Sequence, residues 1–113
     1  MREILFRGKR IDNGEWVWGF LTFDGVNEVY YIYDSEVDPS TVGQYTGLKD
    51  KNGKRIFEGD ILSLRTGRQH VVMFEDGAFV LENTAISIRF ANKFDVIGNI
   101  HENPDLMGGA WNG

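Results

Sequence analysis

The stretch Gln44-Tyr45-Thr46-Gly47-Leu48-Lys49-Asp50-Lys51-Asn52-Gly53-Lys54-Arg55-Ile56-Phe57-Glu58-Gly59-Asp60-Ile61 decides the fold. It is a succession of turns with almost no room for a helix. Asn52-Gly53 signals a type I′ turn, because both central residues of that turn need φ > 0. Tyr45-Thr46 before it and Arg55-Ile56-Phe57 after it are strand-compatible. Lys49-Asp50-Lys51 is expected to form a polar, solvated tip. Glu58-Gly59-Asp60 makes a second tight turn, with Gly59 able to adopt a left-handed conformation. Ile61 to Arg65 then reads as a strand.

The same grammar extends in both directions. Residues 3–7 read as a first strand, and Asp12-Asn13-Gly14 as a turn. Glu15 to Phe23 reads as one strand, with Trp16, Trp18 and Phe20 on one face and Val17, Gly19 and Leu21 on the other. Asp24-Gly25 turns the chain and Glu28 to Tyr33 returns it. Asp34 to Thr41 reads as a polar connection. Asp60 to Arg65 and Arg68 to Phe74 form a hairpin about Thr66-Gly67, and Glu75-Asp76-Gly77 leads into a strand from Ala78 to Leu81. Ala85 to Phe90 alternates, with Ile86, Ile88 and Phe90 inward. A helix over 78–94 fits worse, because Glu82 and Asn83 would share the face of Phe79, Ile86 and Phe90. Phe94 to Ile100 is the last strand. Asn103 and Pro104 suit the N-cap and first position of one helical turn. Turn signals every 8–12 residues predict an all-β sandwich or barrel with at least seven strands.

The long turn run resembles the YopX-like family of bacteriophage and prophage proteins. Arg2-Glu3-Ile4-Leu5-Phe6-Arg7-Gly8 resembles that family's opening, and Val96-Ile97-Gly98-Asn99-Ile100-His101-Glu102-Asn103-Pro104-Asp105-Leu106 its ending. Trp16, Gly19 and the Asp12-Asn13-Gly14 turn fit its N-terminal hairpin. Gly59-Asp60-Ile61 resembles a strand entry in SH3-like barrels. The resemblance implies a small antiparallel barrel or sandwich with an SH3-like element and one domain over 1–107; residues 108–113 carry no such resemblance and read as a flexible tail. It implies no established activity.

Composition narrows the function classes. A chain of 113 residues is one domain by size. An apolar content of 42% is too high for wholesale disorder. The absence of cysteine removes disulfide and thiolate chemistry. No signal peptide is expected, because the first ten residues are charged and no apolar segment follows. No apolar run approaches the ~20 residues of a membrane-spanning helix. A cytoplasmic location in a bacterial host is the expectation. The net charge of −5 argues against a generic nucleic-acid binder. The charge is uneven: Arg2, Arg7, Lys9 and Arg10 cluster at one end, and Lys49, Lys51, Lys54 and Arg55 in the turn run. Asp24, Glu28, Asp34, Glu36 and Asp38 have no basic companion.

No catalytic, cofactor or metal site emerges. His70, in a strand, and His101, leaving one, have no second ligand at a recognised spacing; both are expected at the solvent or at strand ends. Ser35, Ser40, Ser63 and Ser87 lie in no Gly-x-Ser-x-Gly elbow. Glu58 and Asp60 suit turn capping better than paired acid–base work. Gly47 lies six residues before Gly53, one too many for a phosphate loop, and Arg55 stands where Ser or Thr is needed. Trp16, Trp18, Tyr30, Tyr31 and Tyr33 could stack on bases, but acidic surroundings oppose a phosphate backbone.

The reading is therefore a non-enzymatic protein–protein module with no cofactor, contacting an unidentified host or phage protein. A dimer is favoured, through Trp16–Phe20 and Tyr30–Tyr33, whose strands are apolar on both faces. A nucleic-acid-associated module is the alternative, and a membrane partner is not expected. Gly53→Val and Gly59→Val should each lower stability by about 1–3 kcal/mol, since a β-branched residue at φ > 0 is strained. Thermal melts matching the wild type for both variants would refute these turn assignments.

Overall fold

The computed structural model describes residues 4–107. They form eleven strands and three short 3-10 turns, so the protein is all-β. The start of the expected first strand, at residue 3, and the tail over 108–113 lie outside the described residues. The chain divides into two compact units, Met1–Tyr45 and Thr46–Gly113.

In the first unit β1 (Phe6–Lys9) pairs antiparallel with β2 (Trp16–Gly19), in the register Phe6↔Gly19 to Lys9↔Trp16. Its other side pairs with the start of β6 (Gly43–Lys49), through Phe6↔Gln44 and Arg7↔Gly43. A second sheet has the order β3 (Leu21–Asp24), β4 (Val29–Ile32), β5 (Ser35–Val37). Ile32 and Val37 are its most buried side chains, at 0% and 1% exposure. A Cβ at Gly8 would lie 3.1 Å from that of Val37, so β1 passes close over β5.

Two expectations change here. The single strand from Glu15 to Phe23 is two strands, β2 and β3, which break at Phe20 and join different sheets. The polar connection from Asp34 contains β5, which the sequence hides because it is three residues long with one apolar member.

In the second unit the rest of β6 lies beside β7 (Arg55–Phe57), and Thr46 Oγ1 donates to the Ile56 carbonyl at 2.8 Å. A four-stranded antiparallel sheet has the order β10 (Ala78–Leu81), β9 (Gln69–Glu75), β8 (Asp60–Ser63), β11 (Asp95–Asn99). Ile56, Leu62, Leu64, Val72, Leu81, Ala91 and Phe94 form one buried cluster, flanked by Leu48, Ile88 and Val96. The sheets are open, and no closed barrel forms among the described residues.

The Asn52-Gly53 turn is real but of another type. Gly53 has φ +81°, while Asn52 is not among the residues with positive φ. The Gly53 N–H donates to the Asp50 carbonyl at 3.0 Å and the Asp50 N–H to the Lys54 carbonyl at 2.8 Å. This is the three-residue hairpin loop in which a turn with an acidic first residue is followed by a left-handed glycine. Leu64 to Arg68 repeats both hydrogen bonds. The two-residue turn with both central φ values positive lies at Asp76-Gly77, at +50° and +82°. Gly59, at +93°, is left-handed as expected, and Asp60 Oδ2 accepts the Phe57 N–H at 2.8 Å.

The expected solvated tip is corrected at its centre. Asp50 is only 5% exposed. Its Oδ1 accepts the N–H groups of Asn52 and Lys54, each at 2.9 Å, and its Oδ2 accepts that of Val96 at 3.0 Å. Lys51 Nζ lies 3.0 Å from Asp95, and Asn52 Nδ2 donates to the same carboxylate at 2.6 Å. The loop is thus docked on β11.

Ala85 to Phe90 is not a strand. Ser87 caps a 3-10 turn over Ile88–Lys93, accepting the Arg89 N–H. The physical reason is a period of three: Ile88, Ala91 and Phe94 eclipse one another in such a turn and all reach the core. Ile86 and Phe90, expected inward, are 40% and 41% exposed. The last 3-10 turn, Pro104–Met107, follows the expected helical turn, but Asn103 Oδ1 reaches back to accept the Asn99 N–H at 3.2 Å.

Burial pushes the Asp50 carboxyl upward; hydrogen bonds from Val96, Lys54 and Asn52 and the Lys54 charge outweigh it, and the net shift is below the usual value. The carboxylate therefore stabilises the fold fully above the unfolded pKa of about 3.9, and that contribution is lost as pH falls through the lower folded value. Asp50→Asn retains the shape but turns an amide donor toward one N–H set. It should cost about 1–3 kcal/mol at neutral pH. The gap from wild type should narrow in urea melts below about pH 4. A gap that does not change with pH would refute the role of the charge.

Candidate interaction surface

The first unit carries an unusual density of exposed aromatic surface. Trp18 is 51% exposed, Phe20 67%, Phe23 54% and Tyr33 70%. Trp18 pairs with Arg7 in the β1–β2 ladder, and the Arg7 guanidinium lies 4.8 Å from the Trp16 ring centre. Lys9 Nζ lies 5.5 Å from the same ring. Trp16 is thus occupied by cation–π contacts within the chain. Phe20 lies in the break between β2 and β3. Phe23 sits opposite Tyr30 in the β3–β4 ladder, with ring centres 4.8 Å apart.

Tyr33 is held in a strained backbone state. Ile32 pairs with Ser35, so Tyr33-Asp34 is a two-residue hairpin turn. Tyr33 occupies its first central position with φ +54°, where glycine is ordinary. Its ring lies over Gly19, whose φ is +156°; a Cβ there would fall 2.4 Å from Tyr33 Cε2. Gly19 therefore makes room for the ring. Strained non-glycine residues are costly and concentrate at functional sites. The sequence reading missed this turn, because a tyrosine stands where the signal residue should be.

The sequence-level contact segments are brought together only in part. Tyr30 and Tyr31 are half-buried and Ile32 is fully buried. Leu21, Tyr30, Pro39 and Val42 line an apolar recess of ≈ 210 Å³. Asp24 caps its own turn: Oδ1 accepts the Val26 and Asn27 N–H groups and Oδ2 the Asn27 side-chain amide. That amide first, then the two N–H groups, hold the carboxyl below its usual value, so it is ionised at neutral pH.

The remaining candidates serve structure. His70 is not at the solvent: it is 8% exposed, and its Nδ1 lies 2.7 Å from the Glu82 carbonyl, which makes that nitrogen the donor. His101 follows β11, where its N–H donates to Asn99 Oδ1. Ser40 Oγ donates to Asp38, and Ser87 caps its turn. Ser35 lies on β5 and Ser63 ends β8. Asp60 caps the turn that contains Glu58. No His, Cys, Asp or Glu triplet able to hold a metal occurs among the described residues.

A family model described as YopX protein matches residues 5–108. The chain belongs to the YopX family. No curated protein matches it. The crystal structure of protein EF1440 from Enterococcus faecalis is similar, with a TM-score of 0.68 and 29% identity, covering 95% of this chain and 99% of that one. The match accords with the expected opening, turn run and ending of a YopX chain. Within this YopX-family chain the strained turn gives a direct test. Tyr33→Asn should melt at or above the wild-type temperature, since Asn tolerates a left-handed backbone. Gly19→Ala should lose about 1–3 kcal/mol. If Tyr33→Asn is the destabilised variant, the ring serves the fold and not the surface.

Proposed function

We propose that this protein is a non-enzymatic protein–protein interaction module, an accessory protein of phage or prophage origin acting in the cytoplasm of a bacterial host. The observation that carries this reading is the exposed aromatic surface of the first unit, with Tyr33 held out at a backbone cost. Exposed apolar patches of this kind mark interaction sites. The phage setting follows from the family resemblance.

Self-association is part of the reading. A second copy meeting Phe20 and Tyr33 would bury two large aromatic groups, the residue class that dominates interface energies. The contact narrows relative to the sequence expectation, because Tyr31 and Ile32 are committed to their own sheet. Nucleic acid is the less supported partner. Lys51, in the basic turn run, is already engaged by Asp95, and no Lys or Arg stands between Arg10 and Lys49, the segment that carries the aromatic surface.

Sedimentation at micromolar concentration should show a dimer, and Phe20→Asp with Tyr33→Asp should convert it to a monomer with an unchanged circular dichroism spectrum. A wild-type monomer, or a dimer that survives both changes, would overturn this contact. A salt-sensitive mobility shift with DNA would support the nucleic-acid reading instead.

A further inference from the structure

A second part of this surface is left unused by the dimer contact. β3 is an outer strand: its ladder neighbour is β4, and the sheet order ends with it. Alternate residues of such a strand direct N–H and C=O groups away from the sheet. The opposite edge is closed. There Arg10 bridges Val37, the Ile11 N–H donates to Glu36, and the Asp38 N–H donates to Lys9. β3 is short and ends on Asp24, but Leu21-Thr22-Phe23-Asp24 contains no Lys or Pro and its register with β4 runs without a bulge. Thr22 and Phe23 are exposed.

The two faces of this edge differ. Leu21 and Phe23 share one face with Tyr30, beside the recess that Leu21 and Tyr30 line with Pro39 and Val42. Thr22 and the ionised Asp24 share the other. Glu28 is exposed just beyond the hairpin end, as are Asp34 and Glu36 farther along. The whole segment from Ile11 to Leu48 is without Lys or Arg.

We infer that the β3 edge receives an extended segment of another protein in which apolar residues alternate with Arg or Lys. Strand addition uses the main chain for affinity and alternate side chains for specificity. Here alternate apolar side chains meet Phe23 and the recess, and the intervening cations meet Thr22, Asp24 and a field of carboxylates. A second copy is the wrong occupant for this edge. Pairing β3 with another β3 would bring two acid-only hairpins together, and like charges across strands destabilise. A nucleic-acid backbone is repelled for the same reason. The inference rests on the interaction-module reading but is independent of the dimer.

The probe is a labelled peptide of about nine residues alternating Val and Arg, within the usual strand length. A Val–Glu peptide is the control. The Val–Arg peptide should bind, more weakly at high salt, and should slow hydrogen exchange at β3. Affinity should fall about tenfold or more in Phe23→Ser with Glu28→Lys, with the spectrum of the fold intact. The Phe20→Asp, Tyr33→Asp variant should still bind it, which separates this edge from the dimer contact. Equal binding of both peptides, no binding, displacement by a DNA oligonucleotide, or binding that competes with self-association would each overturn the inference.

Discussion

The carboxylate of Asp50 is the constraint on which the second unit depends. One side chain, 5% exposed, accepts three backbone N–H groups. Two belong to its own hairpin and one to β11, far along the chain. The charge is not wasted on solvent: three donors compensate its burial, as a buried carboxylate requires. Around it Lys51 donates its N–H to the Phe94 carbonyl, and Lys51 and Asn52 engage Asp95 through their side chains. A turn that looks like a free polar tip is instead a clamp between β6–β7 and the last strand. The clamp holds Phe94 and Val96 at the core, where Phe94 joins Ala91 and Leu62.

The first unit is organised by a different compromise. Gly19 gives up its side chain so that the ring of Tyr33 can lie over it. Tyr33 in turn adopts a conformation suited to glycine. Both choices cost stability locally, and neither fills the core, which Ile32 and Val37 supply. Their common result is a large aromatic residue kept 70% exposed over Gly19. This strain without a return in the core is the observation on which the proposed contact surface rests.

The positions of glycine-marked turns were legible from sequence, and the turn types were not. Gly53, Gly59 and Gly77 all lie at positive φ, because a left-handed residue declares itself by being glycine. Whether the residue before it is also left-handed depends on which hydrogen bonds close the loop. At Asn52 the Asp50 side chain takes the backbone donors, so the loop lengthens by one residue. The Tyr33-Asp34 turn gave no local signal at all. The candidate surface was half legible: Trp18, Phe20 and Tyr33 were picked out as aromatic. That Tyr31 and Ile32 are committed to their own sheet, and that β3 ends its sheet, required the ladder.

The sequence by itself determined an all-β chain, the turns that glycine marks, and the absence of thiol chemistry. These follow from properties carried by single residues or short runs: glycine's φ freedom, alternation with period two, and composition. Tertiary structure alone decided that Asp50 is buried, that His70 lies inside, and that residues 88–93 form a 3-10 turn. Each depends on what packs against the residue from elsewhere in the chain. The period-three spacing of Ile88, Ala91 and Phe94 fits a 3-10 turn, but it competes in the sequence with the alternation of Ile86, Ile88 and Phe90. Only the position of the core, set by Leu62, Val72 and Leu81, selects the three-residue period that brings them to the same side.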